Sequence, residues 1–152
     1  MARSYAVTTA QSNTASSTLP LLTIIGSTSV RTKIFAFDIS GEGTPSDDAV
    51  KLTFQRCTTT GTPGSNVTPQ ALDPADPSPQ STCGVATFSV GPTLTASAFL
   101  WLASINRRPT FHFQVAPTKE FVIPATANNG LALLSLAVTN AWTQDMTVHF
   151  EE

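Results

Sequence analysis

Apolar and polar side chains alternate with a period of two wherever this chain is regular. In Val50-Lys51-Leu52-Thr53-Phe54-Gln55-Arg56 the apolar set falls on one face and the polar set on the other, the pattern of a half-buried strand. Residues 110–115 and 146–151 repeat it, whereas Ile34-Phe35-Ala36-Phe37-Asp38-Ile39 is more apolar, as a central strand is. Further strands are expected near 3–9, 20–25, 85–90, 119–123 and 131–138. In the stretch 95–106, Phe99, Leu100, Trp101, Leu102 and Ile105 would also line a short helix, but a strand is the better reading. No segment of helical length sustains i, i+3, i+4, i+7 apolar spacing between capping signals.

Turn chemistry separates these runs: Gly41-Glu42-Gly43, Thr62-Pro63-Gly64, Gly91-Pro92, Arg108-Pro109, Ala116-Pro117 and Asn129-Gly130 all favour reversals. Short strands, Gly- and Pro-rich turns and no interleaved helices predict an all-β fold, a single-domain jelly roll or β-sandwich of about eight or nine antiparallel strands over 1–152. The jelly roll is preferred. Two segments break the rhythm. Residues 8–19 are polar and lack a large apolar anchor before Leu19, so the N-terminus (about 1–19) is expected to form an arm. Residues 58–82 hold Pro63, Pro69, Pro74, Pro77 and Pro79, which interrupt a hydrogen-bond ladder, so a long surface loop is expected there.

Composition narrows the possible partners. Charged residues make up 12 % of the chain, against about 25 % in a typical domain, while Thr occurs 24 times; the surface is neutral and hydroxyl-rich. With a net charge of −2 and Arg107-Arg108 as the only adjacent basic pair, there is no stripe to neutralise phosphates, and no nucleic acid is expected as partner. The apolar runs fall short of the ~20 residues of a membrane helix, so no membrane partner is expected. The N-terminus shows no secretory h-region, which points to synthesis in the cytoplasm. Cys57 and Cys83 flank the Pro-rich segment; a bridge there is conceivable, but a reducing compartment favours two free thiols.

The catalytic inventory is thin. His112 and His149 both occupy the polar phase of an alternating strand, and no nucleophile turn accompanies them. Asp73 and Asp76 sit beside prolines, where short acids start turns; Asp47-Asp48 precedes a strand, where charge blunts mispairing. The cysteines lack metal-ligand spacing and the glycines form no phosphate loop. The chain is therefore not expected to be an enzyme: no catalytic, cofactor-binding or metal-ligating residue is assigned. Trp101, inside Phe-Leu-Trp-Leu, reads as core; Trp142, after a turn, reads as exposed.

Residues 12–22, 31–37, Phe54-Gln55-Arg56, 69–74, 122–131 and the terminal Val148-His149-Phe150-Glu151-Glu152 together resemble small proteins encoded with the structural genes of tailed bacteriophages. Their functional counterparts are the jelly-roll cement or decoration proteins on the outside of icosahedral capsids. The resemblance implies a virion protein, made in the host bacterial cytoplasm, that forms a homotrimer, binds the outer capsid surface and clamps neighbouring major capsid protein subunits, with 8–19 and 58–82 as gripping segments. The alternative is a receptor- or carbohydrate-binding β-sandwich module of a head or tail fibre, with Trp142 as a sugar platform.

Overall fold

The computed structural model describes residues 2–13, 18–137 and 142–152, with the side chains of all but 10–13, 137 and 142. The strands are β1 (Ser4–Asn13), β2 (Leu22–Ile25), β3 (Thr32–Gly41), β4 (Ala49–Cys57), β5 (Ser65–Val67), β6 (Gln70–Ala71), β7 (Thr82–Val85), β8 (Leu94–Asn106), β9 (Phe111–Gln114), β10 (Phe121–Ile123), β11 (Gly130–Ala137) and β12 (Trp142–Glu151). They form two six-stranded antiparallel sheets packed as a sandwich. Sheet A runs β10-β3-β12-β1-β6, with β9 also on β3; sheet B runs β5-β7-β2-β11-β4-β8.

One rule generates this order. β1 pairs with β12, β2 with β11, β3 with β9 and β10, and β4 with β8. The first half of the chain is thus a ribbon laid antiparallel against the second half and rolled up, with successive segments alternating between sheets. That nesting gives a two-layer antiparallel β-sandwich. β9 and β10 occupy a single lane on β3, interrupted at 116–120. There Pro117 cannot donate to a ladder and Thr118 adopts a left-handed backbone (φ 73°).

The core lies between the sheets. Tyr5, Val7, Phe37, Ile39, Val148 and Phe150 of sheet A meet Leu22, Ile24, Leu52, Phe54, Leu131 and Leu133 of sheet B, all buried. These are the apolar phases of the alternating runs. A second cluster of Ile25, Cys57, Ala132 and Leu134 lies apart from it, with Leu94 packed against it. In β4, Cys57 has the phase opposite to core-facing Leu52 and Phe54, so this cluster covers the outer face of sheet B.

Several expectations need correction. Residues 8–13 belong to β1, in continuous register with β12 from Ser4↔Glu151 to Asn13↔Trp142. A small-residue polar strand has no apolar alternation to announce it. Residues 14–17 lie outside the described residues. The expected strand at 85–90 is found at Thr82–Val85, and Ala86 ends it with a positive φ of 65°. The segment 58–82 is not one continuous loop. Its prolines fall between strands, leaving the Pro-free pieces free to pair as β5, β6 and the start of β7.

Arg107, half of the one adjacent basic pair in the sequence, is 2 % exposed. Its Nε lies 3.0 Å from Asp48 Oδ1, and its amide donates to Asp48 O at 3.2 Å. Gly41 ends β3 against this corner, where a Cβ would come within 2.5 Å of Arg107 O. The pair therefore ties the β3–β4 and β8–β9 connections together at one end of the sandwich. Removing one partner of a buried pair costs ~3–5 kcal/mol; because the Asp48 side chain is 35 % exposed, Asp48→Ala should cost roughly 2–3 kcal/mol. Urea unfolding measures this, with Asp47→Ala, which gives up only an exposed hydrogen bond from Asn106 Nδ2 at 2.7 Å, as the comparison expected to lose under ~1 kcal/mol.

Candidate functional site

The two long sides of the sandwich differ. On one, the β5–β7 excursion closes the gap between sheets: β6 pairs with β1 in sheet A, while β5 and β7 extend sheet B past β2. Its return limb is pinned by the ends of the described chain. Tyr5 Oη donates to Pro77 O at 3.1 Å, Arg3 Nε lies 3.4 Å from Asp76 Oδ1, and the Glu152 carboxylate accepts from the Gln80 and Ser81 amides, both at 2.8 Å. The Ser81 hydroxyl is hydrogen-bonded to that of Thr32. Burial, and secondarily the Glu152 carboxylate, push the Tyr5 phenol up. The Pro-rich segment is thus a fixed wall of the domain.

Within that wall lies a cleft of about 590 Å³, lined by Thr23, Ile25, Thr60, Pro63, Asn66 and Pro69 among others. It carries neither charge nor aromatic ring. Among the described residues no group of three His, Cys, Asp or Glu side chains could hold a metal ion.

Among the described residues the other long side is open. Its edges are β8 on sheet B and the β9/β10 lane on sheet A. Between them Phe37 meets Phe54, Trp101 and Phe113, each at 5.0 Å between centroids, and Phe113 stacks on Phe121 at 6.0 Å. Aromatic pairs in such edge and stacked geometries add about 0.5–1.5 kcal/mol each beyond burial, which stiffens this side. Trp101 is half-buried against the core, close to expectation; the Trp142 side chain lies outside the described residues. On β8, Phe99 and Leu102 stand 46 % and 47 % exposed, and no charged side chain occurs between Asp76 and Arg107. A long uncharged edge strand is a pairing template. Sequence reasoning missed this surface; the uncharged stretch was its available signal.

The remaining polar candidates are scattered. Exposed His112 places Nδ1 2.6 Å from Asp38 Oδ1. His149 faces the Phe35 ring at 6.1 Å. Asp73 caps a turn, accepting from the Ala75 amide at 2.9 Å. Asp73 lines a second cleft with Arg3, Ser4 and Asp76, where no histidine stands beside the serine.

Cys57 and Cys83 are free and buried. Cys57 lies in the outer cluster and Cys83 in the core, so they occupy opposite faces of sheet B, with β11 and β2 between their strands. Three strand spacings separate them by about 14 Å, beyond the ~7 Å limit for a disulfide. No family model, no characterised protein and no solved structure is significantly similar to this chain.

Burial pushes the Cys57 thiol up to about 11 and the Cys83 thiol up to about 12 from an ordinary value of 9.0. A folded pKa above the unfolded one stabilises fully below about pH 9 and is lost as pH rises toward the folded values. Stability should therefore fall above pH 9 in urea titrations, and at pH 7 a soluble maleimide should label neither thiol until urea is added. Separately, Glu152→Ala removes two charge-assisted acceptor contacts, which should cost about 1–2 kcal/mol. Limited proteolysis should then cut faster within 72–81, while Glu152→Gln should retain part of the protection.

Proposed function

We propose that the protein is a structural component of a phage virion that binds the outer capsid surface and cements neighbouring major capsid subunits. The observation that carries this reading is the open side of the sandwich: a stiff aromatic seam flanked by a long, uncharged, partly apolar edge strand, on a domain whose other side is walled off. Such a surface offers main-chain hydrogen bonds and apolar area and needs no reactive group. The wall at 58–82 adds a second preorganised contact region, since a loop already fixed loses little ordering entropy on docking. The chain's near-neutral surface also suits contact with many equivalent lattice sites, where single-sign charge would repel neighbouring copies.

The test is a virion of the encoding phage made without this protein. Such particles should assemble, lack a layer of outer density in electron microscopy, and release DNA at lower temperature than complete ones. Adding purified protein should restore both properties. Unchanged outer density together with unchanged heat stability would overturn the proposal, and binding to a glycan array by the isolated protein would favour a fibre module instead.

A further inference from the structure

Among the described residues β8 has one neighbour, β4, and its other edge is unpaired. Natural proteins blunt such edges with Lys, Pro, irregularity or short length. β8 has 13 residues, no charge and no proline. Its one blunting device is local. Ser97 takes a left-handed backbone (φ 57°), and pairing with β4 is interrupted between Leu94 and Phe99 and again at Leu100. From Trp101 to Asn106 the ladder is regular. The irregularity at Leu100 also has a side-chain consequence. It brings Phe99 and Leu102, three residues apart, to the same outward face, opposite Gln55 and Thr53 of β4.

Residues 97–104 of β8 read alike in small, polar and large apolar class in both directions about the midpoint between Leu100 and Trp101. Ser97-Ala98-Phe99-Leu100 is mirrored by Trp101-Leu102-Ala103-Ser104; beyond these Ala96 meets the unlike Ile105, and Thr95 meets Asn106. An antiparallel strand pair places position i opposite a position counted backwards from the partner's end. A second β8 laid across a two-fold axis at that midpoint therefore sets Phe99 opposite Leu102 twice, Ala98 opposite Ala103, Ser97 opposite Ser104 and Thr95 opposite Asn106. No charge faces a like charge, because the strand has none. We propose that two copies of this chain pair antiparallel along β8, with the two-fold axis between Leu100 and Trp101, joining their six-stranded B sheets into one continuous sheet. The contact is isologous, since the same patch serves both subunits. It centres on the Phe99–Leu102 cross-strand pairs, while the bowed residues 95–98 contribute through side chains. This inference takes up the main-chain edge of β8, so the capsid contact of the proposed function is then left to the β9/β10 lane and the wall at 58–82; it replaces the three-fold association that the phage resemblance implies.

Size-exclusion chromatography with light scattering on the full chain tests it. The wild-type protein should elute at twice its 16.0 kDa mass at about 100 μM and dissociate on dilution, as a mass-action equilibrium requires. Phe99→Lys and Leu102→Glu should each weaken association at least about tenfold, because each places two charges per dimer, one from either copy, against apolar partners. The F99K/L102E double variant should recover the dimer, since this register sets Lys opposite Glu twice. Both positions are nearly half exposed, so folding should survive, and circular dichroism checks it. Concentration-dependent protection of residues 98–103 in hydrogen–deuterium exchange of the wild-type chain gives a second readout that needs no variant. A wild-type monomer at that concentration, a trimer, or a double variant no more dimeric than its parents would overturn the pairing. Each of those outcomes would leave the virion experiment free to succeed or fail by itself.

Discussion

The ten-residue ladder between β1 and β12 joins the two halves of the ribbon at its open end, and the other pairings nest inside it. Tyr5 and Val7 on one strand and Val148 and Phe150 on the other supply much of the sheet A floor of the core, and Tyr5 stacks on Phe150 at 5.6 Å. Because β1 is nearly the first segment and β12 nearly the last, this ladder is made only when almost the whole chain has been brought together. Loop-closure entropy for such pairings is unrewarded until the inner pairs exist; among the nested pairs β4–β8 closes the shortest loop, and β5–β7, inside the insertion, closes a shorter one still.

The same nesting explains the contrast between the sandwich's two sides. β4 and β8 sit where the ribbon doubles back, and the chain inserts 58–93 between them. The insertion runs away across sheet B to the far side, where β6 and β7 join the two sheets. What seals one side is thus taken from the connection that would otherwise have covered the other. The β8 edge is left open for a topological reason, and aromatic packing behind it keeps the core dry.

Much of this was legible in the chain. The period-two runs at β3, β4, β9 and β12 lie where alternation places them, and Thr95–Asn106 is a strand. Alternation failed where burial did not follow it. β1 beyond Val7 is polar and small, so nothing in its sequence signals the ladder it makes. Arg107 looks like any surface cation until Asp48 and Gly41 are brought to it from sequence positions more than fifty residues away. The Pro-rich segment was misjudged because prolines between strands and prolines within a loop read alike. The strand order itself could not be read, since side-chain pattern says which residues are inside and not which strands are neighbours. The β8 edge was half visible: its missing charges were in plain sight, but which side of it lacked a neighbour depends on the fold.

Arg3 and Glu152 exchange two backbone hydrogen bonds of 3.0 Å, so both ends of the described chain leave the sandwich from one spot. Tension applied between those ends would part β1 from β12 one hydrogen bond at a time, like a zip. Shear applied along neighbouring strands, in the plane of a sheet, would instead load a whole ladder in parallel and meet the combined strength of many bonds. The fold is therefore mechanically anisotropic: weak when pulled by these two ends, strong when sheared along its strands.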